Sequence, residues 1–374
     1  MKGYVLCTLL LVGLLQSIHS ASAQGKRPDI PVSAAKKATK GKRKAVRPRE
    51  PAVDPTVGDN VDGDDLTIRR AAVEALGTMN GSVVVVNPTD GHILTIVNQK
   101  LALASGFTPC STIKLVTSLA ALSEHVVSPE TFIHINRRES FNLGTAIAHS
   151  NNQYFAILGN RLGFERVTHY AQMMGLGEKA GLDVAGEQPG AVPLEPPKWG
   201  GVGLLTSFGE GFLVTPLELA ALLSSIANGG TMYYLQYPRT QAESDQFEPK
   251  VKRRLEVAPD AIADLKVGMR GAVDYGTARR ANYDPNEPIL GKTGTCTDFR
   301  ASHHMGWFGS FNDVGHHQLV VVVMLAGGTK AVSGPVAAGV AGAIYRNLSG
   351  QRYFASGGTT QPAVPDILSC CSGH

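Results

Sequence analysis

The chain has 374 residues, 43% hydrophobic and 18% charged, a globular composition that excludes a collagen-like or wholly disordered chain. Its net charge of +4 is uneven: residues 24–50 hold ten Lys or Arg against Asp29 and Glu50 (+8), and Lys2 adds one, so residues 51–374 carry 4 − 9 = −5. A mildly acidic folded part argues against a nucleic-acid-binding surface on it.

Lys2, the apolar run Tyr4–Leu15 and Ala21-Ser-Ala23 have the order of a signal peptide, so residues 1–23 are expected to direct export and to be cleaved after Ala23. The run is short for a membrane span. Residues 24–65 read as a disordered linker, basic to Glu50 and acidic after it, with too little apolar surface to fold. Its basic part is a solvated tether that offers weak contact to an anionic membrane or cell-wall surface.

Order is expected over residues 66–350, with 351–374 a C-terminal tail. Apolar spacing predicts a helix over Leu66–Met79, and Ser82–Asn87 and His92–Val97 read as strands joined at Pro88–Gly91. Residues 111 to about 281 are mostly helical, with a loop-rich stretch at Gly181–Gly203. Three further strands (Ile289–Thr297, His304–Phe311, Leu319–Leu325) precede a helix over Pro335–Leu348. This order predicts an α+β fold: an antiparallel five-stranded sheet flanked by terminal helices, with a helical subdomain inserted and a site at the junction.

Three short motifs carry chemistry. In Ser111-Thr-Ile-Lys114, Pro109 and the spacing of Ile113, Val116, Leu119 and Leu122 put Ser111 at a helix start and Lys114 one turn on, on the same face. A serine hydroxyl becomes a nucleophile when a neighbour takes its proton, and a lysine held neutral can do so. Ser150-Asn-Asn152 precedes the helical run Gln153–Leu162 and offers a hydroxyl and an amide; Lys292-Thr-Gly-Thr295 falls in an expected strand. Alone, each is ordinary: a capped helix, a helix start, a solvated strand lysine. The paired histidines 303–304 and 316–317 lack metal-ligand spacing, so no metal and no other cofactor is expected.

Together and in this order, the three motifs are those of penicillin-binding proteins and class A β-lactamases. The chain resembles the transpeptidase domain of class B penicillin-binding proteins over roughly residues 66–348. The likeness includes Asp90-Gly-His-Ile-Leu94, Gly181-Leu-Asp183, Gly186–Gly190, Phe208–Ala220, Ala227-Asn-Gly-Gly230, Met269–Val273 with Gly276-Thr-Ala278, and Gly306-Trp-Phe-Gly309. It implies an acyl-enzyme at Ser111 with Lys114 as base, Ser150 as proton relay, and Lys292 lowering the Lys114 proton affinity. It implies an oxyanion hole from the backbone N–H groups of Ser111 and Thr295. Asn152 would hold the substrate amide, while Lys292, Thr293, Gly294 and Thr295 would bind near its terminal carboxylate. The implied substrate is the D-alanyl-D-alanine end of peptidoglycan stem peptides, with β-lactams as covalent ligands, in a periplasmic or extracellular setting.

The chain departs from the family pattern at Gly209-Glu-Gly211, where glutamine is usual, and in lacking the usual non-catalytic N-terminal domain. A β-lactamase is the second reading; Glu178, Glu187 and Glu195 lie where a water-activating glutamate would stand, none in a Glu-x-x-x-Asn context. A non-catalytic penicillin sensor is the third. Cys110 and Cys296 adjoin the two implied oxyanion donors, which favours a disulfide over two packed thiols. Cys370 and Cys371 are expected on a mobile tail.

Overall fold

Five valine-rich or glycine-punctuated segments build the central sheet. Strands β1 (Gly81–Val86) and β2 (Ile93–Val97) form a hairpin, while β3 (Ile289–Asp298), β4 (His303–Asn312) and β5 (Val320–Gly327) form a second antiparallel run. β1 pairs with β5, so the order is β2-β1-β5-β4-β3, antiparallel throughout, with β3 at one edge. The structure is a computed structural model and describes residues 51–355 except 283, 285, 299–302, 313–316 and 330.

Both faces of the sheet are covered, which explains unbroken apolar runs in place of alternation. Successive side chains point to opposite faces: Val84, Val86, Val320, Val322 and Met324 enter one core, and Val83, Val85, Val321, Val323 and Leu325 the other. Fully burying each such side chain contributes about 1.5–3 kcal/mol. The second core is closed by the terminal helices, α1 (Leu66–Leu76) and the long helix Gly334–Gly350, through Ile68, Ala72, Leu76, Ala337, Ala341, Ile344 and Leu348.

The first core holds the inserted helices: α2 (Lys114–Ser123), α3 (Leu143–His149), α4 (Asn152–Leu162), α5 (Phe164–Met173), α6 (Gly201–Phe208), α7 (Pro216–Ala227) and α8 (Ala261–Asp274). With the helix Gly334–Gly350 as α9, this is the expected α+β architecture. α2 is buried from Lys114 through Leu122, the signature of a helix that is core on every side.

Three boundaries differ from the sequence expectation. Residues 51–65, expected to be disordered, pack on the domain. Asp59 and Asp64, at 2% and 0% side-chain exposure, both pair with the Arg69 guanidinium at 2.8 Å. Asp59 also accepts from the Asn98 and Gln99 N–H groups, Tyr237 donates to Asp64, and Asp65 caps α1 by accepting from Thr67 N and Ile68 N. Composition reads these carboxylates as solvated; they are instead acceptors for buried donors. At the other end the fold runs past 350, with Phe354 buried and Tyr353 donating to Asp65. Finally, α6 begins inside the stretch expected as loop. Its two glycines, Gly201 and Gly203, lower helix propensity, but Leu205 is buried and Thr206 Oγ1 donates to Phe155 O, so packing on α4 prevails. The expected signal peptide, the basic tract to Glu50, Cys370 and Cys371 lie outside the described residues.

Candidate active site

Ser111 lies on a 3₁₀ turn, Cys110–Ile113, that leads directly into α2. This turn brings the Lys114 amine back to the serine: Nζ is 3.0 Å from Ser111 Oγ. The same nitrogen lies 2.8 Å from Ser150 O, 3.1 Å from Ser150 Oγ and 2.6 Å from Asn152 Oδ1. Lys292, from β3, donates to Ser150 Oγ at 2.8 Å and to Thr293 O at 2.9 Å. The three motifs, distant in sequence, therefore meet at one hydroxyl, that of Ser150.

Two residues that carry this geometry have left-handed backbones. Cys110 (φ 52°) precedes the nucleophile, and Ser150 (φ 54°) links α3 to α4. Such conformations are uncommon outside glycine and persist where surrounding structure enforces them. A capping network does so at Ser150: its N–H donates to Ile147 O, and Asn151 caps α4 by accepting from Tyr154 N. At Cys110 the constraint is covalent. Cys110 and Cys296 are joined by a disulfide, with Cα atoms 5.5 Å apart.

Of the β3 residues, Thr293 and Thr295 line the cleft. Lys292, Gly294 and Cys296 face the Ser111 turn; Thr293 and Thr295 face the start of α9, where Thr295 Oγ1 accepts from Gly334 N. Gly294 does not line the cleft. A Cβ there would lie 2.9 Å from Pro109 O and 3.2 Å from Cys110 Cβ, so glycine at this position allows β3 to approach the nucleophile's turn. Trp307 on the neighbouring strand fixes the same turn by donating from Nε1 to Thr108 O.

The cleft encloses about 190 Å³ and is lined by Ser111, Ser150, Asn152, Phe208, Thr277, Thr293, Thr295 and Pro335. Pro335 was not singled out from the sequence as a site residue, and Phe208 and Thr277 only as parts of wider patterns. Thr277 is hydrogen-bonded to Thr293, Oγ1 to Oγ1, at 2.6 Å, so it orients a cleft hydroxyl. The signal for it was its place between Gly276 and Ala278, where the chain turns out of α8.

Among the described residues neither lysine has a carboxylate hydrogen-bond partner, and both are fully buried. Burial, together with repulsion from Lys292, brings the Lys114 amine down to about 6. Burial brings Lys292 down to about 7. A neutral Lys114 has two N–H donors and one lone pair. Ser150 O and Asn152 Oδ1 can only accept, so they take both donors and the lone pair is left for the Ser111 O–H. Among the described residues no carboxylate lines the cleft. Glu187 accepts from Ala180 N and Gly181 N, Glu178 pairs with Lys252 and Arg253, and Glu195 and Glu210 border a separate hollow. Glu210, which stands where the family usually has glutamine, is thus not among the residues that line the cleft.

A family model of the penicillin-binding protein transpeptidase domain matches residues 81–346. The chain belongs to the penicillin-binding protein transpeptidase family. Among its relatives, Stage V sporulation protein D of Bacillus subtilis is 28% identical over 320 residues, covering 71% of this chain and 48% of that one. The peptidoglycan D,D-transpeptidase MrdA of Haemophilus influenzae is 23% identical over 352 residues, covering 73% and 54%. This penicillin-binding protein homologue thus spans about half the length of the curated relatives it matches. Its fold is similar to the transpeptidase domain of penicillin-binding protein 3 from Burkholderia pseudomallei, with a TM-score of 0.66 at 20% identity, covering 78% of this chain and 96% of that one.

Proposed function

We propose that the chain is an exported serine D,D-transpeptidase or carboxypeptidase that acts on D-alanyl-D-alanine stem peptides of peptidoglycan through an acyl-enzyme at Ser111. The observation that carries this reading is a serine hydroxyl 3.0 Å from a buried lysine amine that has no carboxylate partner among the described residues. Family membership, and the D,D-transpeptidase named among its relatives, support the substrate class.

In this mechanism Ser111 Oγ attacks the amide carbonyl as its proton passes to the Lys114 lone pair. The oxyanion is met by the backbone N–H groups of Ser111 and Thr295; β3 is an edge strand, so every second N–H lacks a partner strand. Collapse of the intermediate expels the terminal amine, which takes its proton through Ser150, a hydroxyl within reach of both lysines. Lys292, Thr293 and Thr295 bind the substrate carboxylate, which supplies the missing counter-ion. Asn152 accepts from Lys114 while its NH₂ remains to hold the substrate amide. The acyl group then passes to an amine or to water. That no carboxylate among the described residues lines the cleft weighs against a β-lactamase that activates water with a glutamate.

The sign of the pH dependence follows from Lys114. It is active when neutral and its proton is lost near pH 6, so acylation by a penicillin should rise with pH across about 5–7, with a midpoint near 6. Lys292→Ala removes a like charge and should move this limb to higher pH. A limb still rising at pH 9 would remove Lys114 as a neutral base. Export predicts a mature N-terminus at Gln24, attached to anionic surfaces only through salt-sensitive contacts of the basic tract. Edman sequencing of protein from the culture or periplasm checks it, and an intact Met1–Ala23 in the membrane fraction would show an anchored protein.

A further inference from the structure

Three threonine hydroxyls, those of Thr277, Thr293 and Thr295, line the cleft. The two on β3 each have a partner from another element. Thr295 Oγ1 accepts from Gly334 N, the first N–H of α9, at 2.8 Å. Thr293 Oγ1 lies 2.6 Å from Thr277 Oγ1, and either oxygen can be the donor. A hydroxyl has one hydrogen and two lone pairs. The Gly334 N–H occupies a lone pair of Thr295, whose hydrogen has no acceptor among the described residues. Between Thr277 and Thr293 one of two hydrogens is used, and one is left over whichever oxygen donates.

Thr277 is held in place by its backbone. Its N–H donates to Ala148 O at 3.1 Å, and Ala278 N donates to Ala272 O at 2.8 Å. Gly276 permits that approach: a Cβ there would lie 2.1 Å from Ala148 O and 2.8 Å from Ala272 Cα. Ala148 stands on the last turn of α3, two residues before Ser150. The loop after α8 therefore ties the Thr293 hydroxyl to the segment that carries the proton relay. The acylation steps above leave Thr277 without a task, although its side chain lines the cleft.

We infer that Thr277 is a positioning residue: it makes the Thr277–Thr293 pair a single oriented donor for the substrate's terminal carboxylate, and so sets a preference for substrates that end in a free carboxylate. This role rests on the reading above, in which Thr293 and Thr295 hold that carboxylate. A carboxylate only accepts, so a hydroxyl that binds it must aim its hydrogen at it. Without Thr277 the Thr293 hydroxyl turns freely, and its oxygen presents a lone pair to the carboxylate as readily as its hydrogen. Thr295 keeps its orientation from Gly334 N, at the positive end of the α9 dipole, so part of the preference survives. Thr277 takes no part in bond making.

The test compares stopped-flow acylation of the full chain by a penicillin and by its methyl ester, which keeps the reacting ring and loses the charge. The parent should favour the free acid. Thr277→Val, which replaces the hydroxyl with a methyl group, should lower acylation by the free acid about tenfold, the low end for a hydrogen bond to a charged group. The loss should lie in the concentration for half-saturation rather than in the limiting rate, and it should be much smaller for the ester. Thr277→Ser keeps the hydroxyl and should restore the preference. Thr277→Ala repeats the comparison if the valine variant has a lowered thermal midpoint. Equal losses on both compounds would make Thr277 a purely structural residue, and an unchanged preference would show that Thr293 is aimed without it; either result overturns the inference. A parent that reacts alike with acid and ester would refute the carboxylate pocket itself, and the role of Thr277 with it.

Discussion

Lys114→Ala should slow acylation of Ser111 by a penicillin about 1,000-fold, in the middle of the range that a positioned acid–base group supplies. No other group can replace it at once. Lys292 reaches Ser150 and the Thr293 carbonyl, and among the described residues Ser111 Oγ has only Lys114 Nζ and Ser207 O as partners. The substitution also leaves Ser150 O and Asn152 Oδ1 without their donor, a cost of about 1–3 kcal/mol for each acceptor that water does not reach. Stability should therefore be followed by thermal unfolding alongside the rate. Lys114→Arg separates charge from basicity: a guanidinium stays protonated, so this variant should be as slow as alanine. Stopped-flow acylation within tenfold of the parent for either variant would assign the base elsewhere.

The disulfide should have the second large effect. It closes a loop with a sequence separation of 186 residues, and the chain-entropy account gives an upper bound of about 5 kcal/mol for a loop of that size. Cys296→Ser should lower stability by a large part of that amount, read as the shift of a denaturant midpoint at constant slope. It should also slow acylation, because the bridge joins the left-handed residue before the nucleophile to the strand that carries Thr295. Misplacing reacting groups by about 1 Å can cost about 100-fold. Mild reduction of the parent protein should reproduce both effects. A variant with unchanged midpoint and unchanged acylation would show that packing at Gly294 and Trp307 alone holds the two segments together.

The sequence was most legible where pattern and physics coincide. Period-two burial on two faces leaves no polar residue along Val83–Val86 or Val320–Val323, and both ran as strands. The apolar spacing after Pro109 placed Ser111 and Lys114 on one turn. Less legible was anything that depends on partners far along the chain. Asp59, Asp64 and Asp65 resemble a solvated acidic linker until Arg69, Tyr237 and the start of α1 supply donors. Gly294 reads as part of a binding motif, yet its role is close approach to Pro109. The left-handed backbones at Cys110 and Ser150 leave no mark in residue type. The lowered proton affinity of Lys114 came only through the resemblance, because it arises from burial and from a second lysine 178 positions away (292 − 114), neither of which local spacing reveals.

Intact-mass spectrometry of the protein mixed with a penicillin tests the central claim most directly. Opening of the β-lactam ring by Ser111 adds the whole penicillin mass, and with no carboxylate among the described residues lining the cleft to activate water the adduct should persist for many minutes. Ser111→Ala should abolish it, and peptide mapping should place it on the Ser111 peptide. Rapid turnover of the penicillin with no trapped adduct, or an adduct that survives Ser111→Ala, would contradict the account.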